Sequence, residues 1–264
     1  VHVSRSDYRA AEAALSSSLE LRRNIGDHWG QAVTLLEIGA LDYFQGDFTG
    51  SLANCLAGLA LAEQVGDPET IAHLLTALGV VTRELGDYAA ARHYAERGLR
   101  IYEELGSVYG RIQGLLTLGG LAVAQGDYLD AEPAFARALA LSQSISFRSG
   151  EADSHYRLGQ VATALQEAEV AAGHLRQAVR IAAAAQESPV LLDALCAAVH
   201  LLALHPLPDA APLLGWLLAR PDLGEQRRNE LVALSFSVNT SAARNMTPNE
   251  VAVLAVNLLD RLGT

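Results

Sequence analysis

Eight histidines and two cysteines are the side chains of this 264-residue chain best suited to holding a metal or attacking a substrate. Their spacing supports neither use. His73 and His93 stand twenty residues apart, and His155 and His174 nineteen. Neither pair has the i, i+4 step by which one helix offers two imidazoles to one ion, and no histidine lies at ligand spacing from a cysteine. His200 and His205, five apart with Asp209 close by, come nearest to a ligand pair. Cys55 and Cys196 fall on apolar helix faces and read as buried free thiols, as suits a reducing compartment. All 19 basic residues are arginine, so a P-loop lysine, a Schiff-base lysine and a catalytic lysine are excluded for this segment. No Gly-x-Ser-x-Gly elbow, Gly-x-Gly-x-x-Gly loop or Walker sequence occurs. Paired carboxylates such as Glu103-Glu104 fall where an exposed helix end is expected. A catalytic site needs converging polar groups, and the sequence signals none. The chain reads as non-enzymatic, with no cofactor and no metal.

Charge narrows the partners. Thirty acidic residues give a formal charge of -11, which opposes the phosphate-neutralising surface that nucleic-acid binding requires. Arg22-Arg23 and Arg227-Arg228 are too short to reverse this and read as solvated helix faces. Apolar runs are broken by Gly, Asp and Arg before they could cross a bilayer, and no signal peptide is present, so the expected location is cytoplasmic. In that setting Asn239-Thr240-Ser241 and Asn245-Met246-Thr247 match the glycosylation pattern by coincidence.

The elements that would position any site are set by a recurring turn. Ser6-Asp7-Tyr8, Gly46-Asp47-Phe48, Gly86-Asp87-Tyr88 and Gly126-Asp127-Tyr128 follow at steps of 40, with a weakened copy at Gln166-Glu167-Ala168. A second turn runs between them at Gly26-Asp27, Gly66-Asp67 and Gly106-Ser107, then Ser146-Phe147 and Gln186-Glu187. Two breakers per 40 residues, with apolar helical periodicity between them, describe stacked helical hairpins. Half of the residues are hydrophobic but only 6% aromatic, the profile of closely packed helices. The expected organisation is a half repeat over 5–24, then hairpins over about 28–64, 68–104, 108–144, 148–185 and 189–219. Asp67 followed by Pro68 is a strong helix start. The fifth hairpin has lost its glycines and carries Pro206, Pro208 and Pro212, as terminal repeats often depart from the pattern.

Small residues recur at fixed offsets. Gly39, Gly79, Gly119 and Gly159 are followed twelve residues later by Ser51, Ala91, Ala131 and Ala171, and seven later by Gly58, Gly98, Ala138 and Ala178. Glycine in a helix costs up to about 1 kcal/mol relative to alanine, so its repeated use implies backbones in contact. These offsets, the Leu-Gly pairs at Leu78-Gly79, Leu118-Gly119 and Leu158-Gly159, and the Gly-Asp-Tyr turn resemble the tetratricopeptide repeat over residues 1–220. The family's usual period is about 34 residues. The 40-residue step looks like that of kinesin light chains and of the sensor domains of MalT-like bacterial regulators, with Glu63, Glu103, Gln143 and Ala183 in place of the family's closing proline. The resemblance implies an all-α, right-handed superhelical solenoid of antiparallel helix hairpins.

It also implies a ligand face on the first helix of each hairpin. The matching positions are Val33, Leu36, Ala40, Tyr43 and Phe44; His73, Thr76, Val80, Arg83 and Glu84; Gln113, Leu116, Gly120, Val123 and Ala124; and Asp153, Tyr156, Gln160, Thr163 and Ala164. Neither of the family's familiar recognition modes transfers. There is no lysine for a carboxylate clamp, and the asparagine-ladder positions hold Glu37, Ala77, Thr117 and Arg157. What is left has an aromatic end at Tyr43 and Phe44 and a polar middle at His73, Arg83 and Glu84, suited to an amphipathic helix or apolar peptide.

Residues 221–264 leave the register and read as a helical cap. Thr247-Pro248-Asn249-Glu250 forms a capping box, opening a helix whose stripe is Val251, Leu254, Leu258, Leu259 and Leu262. Ala211-Pro212-Leu213-Leu214 and this last helix resemble the C-terminal ends of large bacterial signalling proteins that join an effector module, a STAND-type ATPase and repeats. The chain starts partway through a repeat and without methionine, which reads as a piece of a larger polypeptide. The leading expectation is a protein- or peptide-binding sensor or scaffold arm of a bacterial regulatory protein. The alternatives are a small-molecule effector sensor and a self-association module working through the open helix 5–24.

Overall fold

A backbone turn to positive φ closes every helix of the regular region. It falls on Gly26, Gly46, Gly66, Gly86, Gly106 and Gly126, at φ between 66° and 82°, and then on Ser146 (56°) and Gln166 (63°). The residue after each one donates its N–H to the carbonyl five positions back. Examples are Asp27 to Arg22 at 2.9 Å, Asp87 to Thr82 at 2.9 Å, Phe147 to Ser142 at 2.8 Å and Glu167 to Ala162 at 2.9 Å. This bond satisfies a carbonyl that the helix end leaves without a partner. The same residue then starts the next helix. Asp27, Asp47, Asp67 and Asp87 accept the N–H of the residue three ahead in their carboxylates, and Ser107 does so in its hydroxyl. Two residues thus end one helix and begin another. At Phe147 and Glu167 the side-chain cap is missing although the fold of the turn persists.

The computed structural model describes residues 5–185, 188–204, 210–220, 223, 225–234 and 246–262. Gln186-Glu187, His205, Pro206, Pro208, Asp209 and both candidate glycosylation asparagines, Asn239 and Asn245, lie outside them. The described residues form α1 (Arg5–Asn24), α2 (His28–Gln45), α3 (Phe48–Val65), α4 (Pro68–Glu84), α5 (Tyr88–Glu104), α6 (Val108–Gln125), α7 (Tyr128–Ser144), α8 (Arg148–Ala164), α9 (Ala168–Ala184), α10 (Ser188–Leu204), α11 (Ala211–Leu218), α12 (Glu225–Val232) and α13 (Pro248–Asp260). No strand occurs among them. Two compact units divide the chain, Val1–Ala134 and Phe135–Thr264.

In the first unit α2 pairs with α3 and α4 with α5, and each second helix also packs on the next first helix. The first helices meet one another as well, α2 against α4 and α4 against α6. Ala32, Cys55, Leu59, Ala62, Leu74, Leu75 and Leu78 form one buried cluster. Gly39 lets α2 and α3 close. A Cβ there would lie 2.6 Å from Cys55 Sγ, and Ser51 Oγ donates to the Gly39 carbonyl at 2.7 Å. α1 packs on α2 through the expected stripe. Leu19 is buried, and Tyr8, Ala11 and Leu15 are half-buried. Leu15 and Leu19 therefore face this chain's own next helix, and charging either one would disturb that packing.

In the second unit α8 pairs with α9, and α10 packs on both. α11 is short, since Pro212 opens it and it ends at Leu218. α13 lies against α9, α10 and α11, burying Val251, Leu258 and Leu259 while Leu254 and Leu262 are half-buried. Thr247 and Glu250 make the expected capping box. Two side chains pin this region. Trp216 Nε1 donates to the Met246 carbonyl at 3.0 Å, and Arg176 pairs with Asp260.

Candidate ligand-binding face

Because α2 and α4 lie side by side, their C-terminal ends bring together residues about forty apart in sequence. Tyr43 Oη donates to Glu84 Oε1 across a long 3.4 Å. Arg83 donates to that same oxygen from Nε at 3.2 Å and from Nη2 at 2.5 Å. The Tyr43 ring sits 5.8 Å from Phe44, edge-on, and 5.5 Å from Phe48. Burial, with the neighbouring Glu84 charge second, raises the proton affinity of the Tyr43 phenol, which stays a neutral donor. Just before it, Asp42 accepts from Asn54 Nδ2 at 2.8 Å, and burial raises its carboxyl despite that bond. Phe44 is 71% exposed at the edge of this cluster. An aromatic rim against a joined tyrosine, carboxylate and guanidinium can hold an apolar side chain and orient a peptide's polar groups.

The remaining expected positions do not all share this setting. Val33 and Leu36 are half-buried, and Leu36 packs on the core cluster. His73 turns to its own hairpin, its ring 5.7 Å from that of Tyr102. Thr76 donates to the Ala72 carbonyl at 2.9 Å, and its oxygen would be 3.2 Å from a Cβ at Gly98 of α5. Leu116 is buried and Gln113 half-buried. Those six are wholly or partly buried. In the second unit, Asp153 accepts from Arg157 Nε at 3.0 Å, and the Arg157 guanidinium lies over the Phe135 ring at 5.8 Å.

Tyr156 and Gln160, with Thr163 and Ala164 after them on α8, line a cavity of about 290 Å³ shared with α10 and α12. Asp193, Cys196 and His200 face it from α10, and Arg227, Glu230 and Leu231 from α12. Arg227 Nη2 stands 2.6 Å from Asp193 Oδ1, yet that buried oxygen accepts no hydrogen bond, so the contact is one of charge without bonding alignment. Burial raises the Asp193 carboxyl, the Arg227 charge opposing it. Burial also raises the Tyr156 phenol, with the Asp193 charge adding to it. The Cys196 thiol is pushed up to about 12 and that of Cys55 to about 11, burial being the main cause in both. Both cysteines are free and buried. Protonated thiols of this kind act as small apolar groups rather than as nucleophiles.

A family model of the tetratricopeptide repeat matches residues 30–104 and 111–184. This chain belongs to the tetratricopeptide repeat family. Among solved structures, that of BtubC (BKLC) from P. vanneervenii shares its fold. The TM-score is 0.62 at 17% identity, over 85% of this chain and 88% of that one. None of the curated proteins matches. The two matched stretches cover α2 to α5 and α6 to α9, so the tetratricopeptide hairpins are the ones that supply the Tyr43 cluster and the α8 wall of the cavity.

Two features of these repeats escaped reading from spacing. His155 and His174 meet across the α8–α9 hairpin, Nδ1 to Nδ1 at 3.0 Å, although nineteen residues separate them. An antiparallel hairpin turning at Gln166 brings such positions opposite one another, so a residue count suited to a single helix could not find them. Burial first and His174 second lower the His155 imidazole to about 4. No cluster of three or more His, Cys, Asp or Glu placed to hold a metal exists among the described residues. The second feature is Asp193 and Arg227, which lie where the glycine turns have faded and no register predicts their neighbours.

Proposed function

We propose that this tetratricopeptide chain is a non-enzymatic protein- or peptide-binding domain. Its ligand lies on the first helices at the Tyr43–Phe44 and Arg83–Glu84 cluster, and the domain serves as a sensor or scaffold arm of a larger regulatory protein. Family membership supports the interaction role at the coarse level, since tetratricopeptide repeats commonly mediate protein–protein contact. The observation that carries the position is the joined cluster of Tyr43, Arg83 and Glu84 beside an exposed Phe44. An exposed aromatic next to fixed polar groups is the composition of an energetic centre in a protein interface. The acidic balance of the first unit, eighteen carboxylates against nine arginines, favours an amphipathic helix with a basic polar face. The test is selection of helical peptides on the intact chain, followed by calorimetry. Phe44→Ala and Glu84→Arg should each weaken a selected peptide about tenfold or more, at an unchanged unfolding midpoint. Full affinity in both variants would move the ligand elsewhere.

A further inference from the structure

The second helices of the hairpins share an outward row of five register positions, and α3 fills it unlike the others. On α5 the row reads Arg92, His93, Glu96, Arg97 and Arg100, as a solvated helix face should. α1 holds Glu12 and Glu20 in it, and α7 holds Glu132 and Arg137. On α3 the same positions are Leu52, Ala53, Leu56, Ala57 and Ala60, without one polar side chain. Leu56 is 41% exposed, the three alanines are exposed, and Leu52 is only half-buried. A helix that is apolar on its outer face as well as its inner one belongs between neighbours on both sides.

The chain itself shows what covers this row elsewhere. On α9 it contains Ala172, Arg176 and Arg180, and α13 packs on α9. Ala172, 1% exposed, shares a cluster with Leu259; Arg176 pairs with Asp260; and Arg180 lines one groove with Asn249 and Ala252. These three are the register equivalents of Leu52, Leu56 and Ala60, so an amphipathic helix already occupies the row in one repeat. The two flanks of the α3 row carry opposite charge. On one side α1 offers Glu12 and Glu20, and the Glu12 charge reaches Asp42, which accepts from Asn54 of α3. On the other side α5 offers Arg92 and Arg100, and Arg97 reaches Glu63 of α3 at 3.2 Å. Complementary charge therefore specifies both edges of an occupant whose stripe is apolar.

We propose that the Leu52–Leu56–Ala60 row of α3 docks an amphipathic helix of a partner protein, apolar along one stripe, basic along its edge over α1 and acidic along its edge over α5. The alanines beside the leucines let the two helix axes approach to the about 8–10 Å of packed pairs. The row lies on a second helix, away from the first-helix positions assigned to the Tyr43 cluster, and failure here would leave the reading of that cluster intact.

The test is methyl NMR and calorimetry on the full chain with two helical peptides of about 18 residues. Both carry leucine at i, i+4, i+7 and i+11; one has a lysine edge and a glutamate edge, the other two glutamate edges. The first should bind at about 100 µM or tighter and shift the methyls of Leu52, Leu56 and the neighbouring alanines. The second should bind at least about fivefold more weakly. Leu56→Glu and Ala60→Arg install the residue types that α5 carries at the same positions, Glu96 and Arg100, so the unfolding midpoint should hold. Each should weaken the first peptide about tenfold or more, whereas Phe44→Ala and Glu84→Arg should leave its affinity unchanged. Absence of binding by the first peptide, shifts confined to other helices, equal affinity for both peptides, or binding retained in both α3 variants would overturn the proposal. So would a dimer of the chain alone, seen by sedimentation and dissociated by Leu56→Glu, because a second copy would then occupy the row.

Discussion

Replacing Gln166 or Ser146 by glycine should stabilise the second unit, because both residues hold a left-handed backbone that the preceding six turns assign to glycine. For an L-residue that conformation costs roughly 1–2 kcal/mol through the approach of Cβ to the carbonyl. Glycine removes this cost but adds unfolded-state freedom of about 0.4–1 kcal/mol. The net gain is then about 0.5–1 kcal/mol per site, or about 1–2 kcal/mol for the pair. Both side chains are exposed, so their loss removes little packing. For a chain of this size the pair corresponds to a rise in Tm of about 2–8 °C. Repeat arrays need not unfold as one unit, so amide exchange in α8 and α9 is the sharper assay, with protection rising there first. The converse control is Gly66→Ala or Gly106→Ala. A Cβ at either glycine meets nothing within 4 Å, so any loss reports backbone conformation alone. Gln166→Asn should fall between, since asparagine tolerates this region better. If the glycine variants are neutral while Gly66→Ala is also without effect, left-handed strain is not what places glycine in these turns.

Further outcomes follow from close packing and from buried charge. Gly39→Ala places a Cβ 2.6 Å from Cys55 Sγ and should cost about 1–3 kcal/mol by overpacking, less up to about 1 kcal/mol of helix propensity. In a Cys55→Ala background most of that cost should vanish, and a denaturant double-mutant cycle that is additive within about 0.5 kcal/mol would reject the contact as its cause. His155, lowered to about 4 from an ordinary 6.5, takes its proton in the unfolded chain before the folded one does. Its contribution is therefore complete above pH 6.5 and declines as pH falls from there towards 4. His155→Gln should flatten the urea midpoint over that window relative to the native chain, and identical slopes would refute the assignment.

Legibility in the sequence followed the range of the forces involved. Helix ends depend on one or two local residues, and the glycine turns, Gly-Asp or Gly-Ser, placed α2 to α6 within about a residue of their structural bounds. At Gln166 the signal weakened but the turn did not, because the backbone bond from Glu167 to Ala162 needs no particular side chain. The candidate face was harder to read. Helical spacing places His73 and Thr76 on one side of α4, but whether that side meets α5 or a ligand depends on how far the helices are rolled. Tyr102 and Gly98 decide it in favour of α5. The cavity was out of reach for another reason. Tyr156, Asp193 and Arg227 come from three helices with no constant step between them, and α12 belongs to no hairpin.

The contrast between the units is itself informative about where binding chemistry resides. Buried polar side chains of the first unit are mostly hydroxyls satisfied by backbone. Thr34 donates to the Gly30 carbonyl at 2.9 Å, Thr82 to Leu78 at 2.6 Å and Ser51 to Gly39 at 2.7 Å. Such bonds leave those hydroxyls nothing for a ligand, whereas Tyr102 Oη and Arg111 Nε are buried in the same unit without a hydrogen-bond partner. α8 to α12 instead bury titratable groups in wholly or partly enclosed settings: Glu151, the His155–His174 pair, and Asp193 beside Arg227. In a stack held mainly by neighbour contacts, the cost of these groups falls on the hairpins that contain them. Partly compensated burial of charge is seldom retained for stability, because removing it often stabilises a protein. On that ground Asp193→Leu together with Arg227→Leu should leave the melting temperature unchanged or raise it, and a double variant less stable than the native chain by several degrees would contradict it.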